Sequence, residues 1–124
     1  MDWIIAIVAG VVIVAFFVLK RMAFVSANTA RKLLTEGALV VDVRTPEEFR
    51  SGHVPDALNI PLGELEESLP RRVMDKNTVL LLHCLSGGRS AIAKRKLRAM
   101  GYVNTHNLGG VARAGRIADK ASAR

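Results

Sequence analysis

The sequence predicts an α/β domain, a mostly parallel sheet with helices on both faces, behind one apolar helix of membrane length. Two observations predict the domain. Short β-branched or leucine-rich runs alternate with amphipathic stretches over about a hundred residues, the pattern that builds parallel sheets covered on both sides. The only cysteine, Cys84, stands where an apolar run meets an amphipathic stretch, in His83-Cys-Leu-Ser-Gly-Gly-Arg-Ser90. A third observation predicts the leading helix: no charged residue occurs from Trp3 to Leu19.

Those 17 residues are at the short end of what spans a bilayer. They are apolar on every face, which a core helix of a globular domain would not be. Asp2 is the only charged side chain before them and Lys20-Arg21 follows at once. The positive-inside rule then leaves the C-terminal end in the cytoplasm, with Trp3 anchoring at the outer interface. The sequence is divided accordingly into an anchor at residues 1–21 and a domain at 22–124, with its core at about 26–110 and a basic tail after it. The localisation that follows is an inner, cytoplasmic membrane crossed once. The alternative is a secreted or periplasmic protein after signal cleavage, for which Val25-Ser-Ala27 offers small residues. A basic n-region is missing, and a basic pair stands where a neutral cleavage region belongs.

Residues 22–25 form a connector. Ser26 or Asn28 caps a helix running to about Glu36, with Ala30, Leu33 and Leu34 inward and Gly37 as the stop. Leu39–Val43 is a buried strand that ends on Asp42 and Arg44, at the end of a strand where α/β sheets place their ligand crevices. Thr45-Pro-Glu-Glu48 is a capping box that starts a short helix closing at Gly52. Ala57–Ile60 is a brief strand, and Leu62, Leu65 and Leu69 mark a helical turn or two ending before Pro70. Thr78–Leu82 is the strand before the cysteine loop. Ser90–Met100 is the helix after it, capped by the Ser90 hydroxyl and stopped by Gly101. Val103–Leu108 is a last strand, and the alanine-rich basic stretch from Val111 is a weak helix or a frayed tail.

The cysteine loop carries the chemistry. Gly87 and Gly88 allow the backbone to curl so that successive N–H groups point inward, an anion nest at a helix N-terminus. The same field, with Arg89 beside it, favours thiolate at Cys84 and makes it a nucleophile toward an anionic substrate. A lone cysteine is more often a quiet packing residue; here the strand, the Gly-Gly-Arg turn and the helix together outweigh that reading.

Composition removes other classes. One cysteine excludes an internal disulfide and a cysteine-rich metal site, and His53, His83 and His106 lack ligand spacing, so no metal and no cofactor are expected. The net charge of +7 comes with only 5% aromatic residues and with interleaved acids, which argues against nucleic acid. The charge fits attraction to a membrane surface and to anionic substrates instead. His53 in its Gly-His-Val-Pro turn reads as a packing residue, and the Lys94–Arg98 cluster as a solvated helix face.

Taken together, Asp42-Val-Arg44, Pro46-Glu-Glu-Phe49, Gly52-His-Val-Pro-Asp-Ala-Leu-Asn-Ile-Pro61, the cysteine loop and Leu108-Gly-Gly110 resemble a rhodanese domain over roughly Ser26 to Gly110. The resemblance implies a three-layer fold with a central five-stranded sheet. It implies a sulfurtransferase that takes a sulfane sulfur from thiosulfate or a persulfide donor and passes it to cyanide or a thiol. By position, Cys84 would be the nucleophile and persulfide carrier, and Leu85, Ser86, Gly87, Gly88, Arg89 and Ser90 would form the substrate cradle. Arg89 would bind the donor anion, with Asp42 and Arg44 in support. The implied partners are a small anionic donor, a thiol or cyanide acceptor, an acidic sulfur-carrier protein, and the membrane through residues 3–19. Phosphatases of the same fold have one residue more between cysteine and arginine than the four here. The shorter loop suits a sulfur atom better than a phosphoryl group, which leaves a phosphatase as the distant alternative. A membrane-tethered relay or sensing module without fast turnover is the nearer one. The family usually has a tryptophan just past Leu-Gly-Gly. Val111-Ala-Arg-Ala-Gly115 stands there instead, which puts the final helix in question.

Overall fold

The computed structural model describes residues 1–22 and 24–123. Position 23, inside the expected connector, and position 124 of the tail lie outside the described residues. Helix α1 (Asp2–Met22) stands apart, with side chains as large as Trp3 and Phe17 exposed. Its mean hydropathy over Asp2–Leu19 is 2.7, and it is long and apolar enough to cross a membrane, a test that a signal sequence also passes.

The domain runs α2 (Ala27–Thr35), β1 (Leu39–Asp42), α3 (Pro46–Ser51), β2 (Leu58–Asn59), a 3₁₀ turn (Leu62–Glu64), α4 (Leu65–Arg72), β3 (Leu80–Cys84), α5 (Gly88–Ala99), β4 (Thr105–Gly110) and α6 (Val111–Ser122). The strands form one parallel sheet in the order β2-β1-β3-β4. Alternation along the strands sorts the core into two layers. Val41, Leu80 and Leu82 meet Leu65 and Leu69 of α4 and Ala93 and Leu97 of α5. Val40 and Leu81, on the other face, meet Ala30 of α2 and Ala114 and Ile117 of α6. Each fully buried leucine contributes about 1.5–3 kcal/mol.

Among the described residues the sheet has four strands, where five were expected. Along β4, Val25 N–H donates a single bond to Asn107 O (2.9 Å), and Ser26 then caps α2 by accepting from Thr29 N–H. Among the described residues that one bond does not make a fifth ladder. Ser26 is the cap, not Asn28. The capping box at Thr45 and Glu48 forms as expected. Helix α4 continues through Pro70 to Arg72, past the expected stop. The proline removes only the bond to the carbonyl of the exposed Glu66, and Val73 N–H closes the helix on Leu69 O at 2.8 Å.

The stretch from Val111 is an ordered helix rather than a tail. Ala114 and Ile117 are buried against the sheet, and Arg113 donates to Leu108 O (2.6 Å) and Val25 O (2.7 Å). These contacts hold the final helix in place of a tryptophan.

Candidate active site

Strand β3 is buried from end to end and ends on Cys84 itself, two residues later than the apolar run suggests. Pairing of Cys84 with Gly110 on β4 extends the ladder that far. Four residues later α5 begins at Gly88, preceded by Gly87 with φ of 101°. Only glycine enters that left-handed turn without strain. The sharp turn swings the Gly87 N–H back onto Cys84 Sγ at 3.0 Å.

Ser90 is therefore not the N-cap. It lies inside the first turn, fully buried, and its hydroxyl donates to Asn107 Oδ1 at 2.7 Å with Cys84 Sγ 3.5 Å away. Burial, the largest influence, pushes the Cys84 thiol up. The Ser90 hydroxyl and the N–H groups of Ser90, Ser86 and Gly87 together outweigh it and leave the pKa below that of an ordinary thiol. The residue is 1% exposed, whereas Leu85 beside it is 59% exposed. The cysteine lies at the bottom of the loop, with the exposed Leu85 side chain at the rim.

Arg89 does not stand open. Its guanidinium pairs bidentately with Glu48 of α3, at 2.7 and 3.0 Å. That pair, with the Thr45 N–H, holds the Glu48 carboxyl at about 2. Cys84 in turn favours the charged form of Arg89, so the guanidinium and the thiolate support each other electrostatically.

Asp42 and Arg44 meet at the end of β1. Arg44 Nε and Nη2 reach the Asp42 carboxylate at 2.8–3.0 Å, and Nη2 also donates to Gly52 O at 2.8 Å. Both residues are buried. Asn59 Nδ2 bridges the carbonyls of Asp42 and Arg44. This cluster ties the ends of β1 and β2 together and does not touch Cys84. His83 pairs with Asp42 in the β1–β3 ladder, so its ring leaves the opposite face of the sheet from Cys84. Its Nδ1 lies 3.3 Å from Cys84 O, an acceptor, which assigns the proton to Nδ1. Among the described residues Nε2 has no hydrogen-bond partner, and it sits 3.7 Å from Asp42 Oδ2. Burial is the main reason its pKa falls below the usual histidine value. His83 is placed to be a neutral structural group and not a base for the thiol. His53, as expected, stacks on Phe49 (centroids 3.8 Å apart) and bonds its carbonyl.

Asn107 is a site residue that the sequence alone does not single out. Its Nδ2 donates to Gly87 O (3.1 Å), while Oδ1 accepts from Gly109 N–H (2.9 Å) and from Ser90. One side chain thus fixes the loop, the helix start and the last residues of β4. A polar residue in a buried strand was the available signal. Glu48, read only as a capping residue, is also the partner of Arg89.

The Rhodanese-like domain family profile matches residues 26–113. This chain belongs to the rhodanese family. Thiosulfate sulfurtransferase PspE of Escherichia coli is 42% identical over 71 residues, 57% of this chain and 68% of that protein. A solved rhodanese with anions from E. coli is 39% identical, with a TM-score of 0.60, over 62% of this chain and 91% of that one. The human single-domain sulfurtransferase TSTD1 is 32% identical, also at 0.60, over 72% and 90%. Relatives with these names support sulfur transfer as the general chemistry of this rhodanese domain. The rhodanese fold is present with α6 docked, although the only tryptophan is Trp3.

Proposed function

We propose that the protein is a membrane-tethered sulfurtransferase in which Cys84 carries the sulfur. The observation that carries this reading is the Gly87 N–H aimed at Cys84 Sγ at 3.0 Å, in a loop that lowers the thiol's pKa. In the first half-reaction the Cys84 thiolate attacks the outer sulfur of thiosulfate or of a persulfide donor. A Cys84 S–S bond forms, the donor's S–S bond breaks, and sulfite or a thiolate leaves with the electron pair. The loop N–H groups from Leu85 to Ser90 cradle the transferred sulfur, and Arg89 offsets the anionic charge that gathers there. In the second half-reaction cyanide or a thiolate attacks the outer sulfur of the persulfide, and the Cys84 thiolate is released.

The leading helix α1 would hold this domain at a bilayer, with residues 1–21 as the anchor and the domain from residue 22 on the cytoplasmic side, as Lys20 and Arg21 direct. A neighbouring acidic carrier protein is a suitable acceptor for a chain of +7.

A second reading, sulfur relay without fast turnover, is favoured by the burial of Cys84 to 1% exposure. Thiocyanate release from thiosulfate and cyanide separates the two. Multiple turnovers support the sulfurtransferase. Loading of sulfur that stops after a single equivalent supports the relay. Hydrolysis of an aryl phosphate with neither would refute both.

A further inference from the structure

We propose that Phe24 and Val25, the residues leading from α1 into the domain, form a buttress that positions the Cys84 loop, with Phe24 as its key positioning residue. The proposal rests on Cys84 being the reacting group.

The Phe24 ring lies against two glycines of the site. A Cβ on Gly87 would come within 2.7 Å of ring atoms Cε1 and Cζ, and one on Gly109 within 3.0 Å of Cε2. Both glycines also have left-handed φ, 101° and 95°. The space a side chain would need at either position is filled by this ring. Gly87 is the residue whose N–H holds Cys84 Sγ at 3.0 Å, so the ring bears on the backbone that presents the donor.

Val25 is fastened to the same network. Val25 N–H donates to Asn107 O (2.9 Å), and the Asn107 side chain holds Gly87 O, Gly109 N–H and the Ser90 hydroxyl. Arg113 closes the arrangement from α6. Its guanidinium lies 5.5 Å from the Phe24 ring centroid while it donates to Val25 O and Leu108 O. Phe24 follows the last residue of α1, Met22, by two positions, so their Cα atoms are within roughly 8 Å of each other. The sulfur site is built partly from the connector and sits next to the point where α1 ends.

The test uses full-length protein in detergent and alkylation of Cys84, the only cysteine, by iodoacetamide across pH. Phe24→Ala is compared with Phe24→Leu and with Leu33→Ala, a packing change in the α2–α6 layer against which Val25 also packs. The proposal predicts that Phe24→Ala raises the alkylation midpoint by about one pH unit, hence about tenfold slower reaction below it. Phe24→Leu recovers part of the shift, and Leu33→Ala leaves the midpoint in place while lowering thermal stability. A folded Phe24→Ala protein with an unchanged midpoint overturns the proposal. So does an equal shift in Leu33→Ala, because the effect would then be general loosening. If Phe24→Ala does not fold, Phe24→Leu decides: a raised midpoint supports the buttress and an unchanged one refutes it. Alkylation needs no sulfur donor, so failure here is distinguishable from failure of the sulfurtransferase reading, which thiosulfate loading reports separately.

Discussion

The Ser90 hydroxyl has one proton and two acceptors, Asn107 Oδ1 at 2.7 Å and Cys84 Sγ at 3.5 Å. With the cysteine as a thiol, the shorter bond to Asn107 wins. With the cysteine as a thiolate, a hydrogen bond to a full charge is worth about 1.5–3 kcal/mol, which draws the proton toward sulfur. The long separation puts the gain at the lower limit, about 1.5 kcal/mol, or about one pH unit. Ser90→Ala removes that donor and leaves Asn107 Oδ1 satisfied by Gly109 N–H. The expected result is a folded protein whose Cys84 alkylation midpoint rises by about one unit. The assay is the pH dependence of the iodoacetamide rate, with circular dichroism as the check on folding. An unchanged midpoint in folded Ser90→Ala would refute the reasoning, because the proton would then stay with Asn107 throughout and the backbone N–H groups alone would set the thiolate.

The same geometry gives further expectations. Asn107→Ala strands the Gly109 N–H inside the protein, while Gly87 O keeps the Ala91 N–H at 3.1 Å, and should cost about 1–3 kcal/mol, read as a lower urea midpoint at unchanged slope. Arg89→Ala should raise KM for an anionic donor about tenfold or more while leaving alkylation by a neutral reagent less affected, measured by initial rates over donor concentration. Glu48 is held at about 2 chiefly by Arg89, so its contribution is present above the unfolded carboxyl value and is lost as pH falls through about 2. Both partners are about one-third exposed, which limits the contribution to about 1 kcal/mol. Glu48→Gln should therefore shrink the stability difference between neutral and strongly acid solution by about that amount in denaturant titrations.

The legible parts of this chain are those encoded locally. The apolar runs at Leu39 and Leu80 name the central strands, the Thr45–Glu48 box starts α3, and the Cys-to-Arg spacing with its glycines marks the loop. What was not legible depends on contacts distant in sequence. Asn107 reaches Gly87 across 20 residues and Ser90 across 17, and Arg89 finds Glu48 across 41. Ser90 reads as a cap in the sequence, but the helix starts at Gly88, set by the left-handed turn at Gly87 and not by a capping side chain. Strand ends moved for a similar reason. Cys84, Gly109 and Gly110 carry no strand signal of their own, and it is their pairing across β3 and β4 that extends the ladder to the site. The final helix is hard to see in the sequence because alanines and arginines look like a tail until Ala114, Ile117 and Arg113 find the sheet and the connector.

Intact-mass analysis of wild-type protein and Cys84→Ala, after thiosulfate and then cyanide, tests the central claim most directly. The account predicts one added sulfur on the wild type, removed by cyanide with thiocyanate released, and none on Cys84→Ala. A wild-type protein that gains no sulfur from thiosulfate or any persulfide donor, or a Cys84→Ala protein that still gains it, would contradict the assignment of Cys84 as the sulfur carrier.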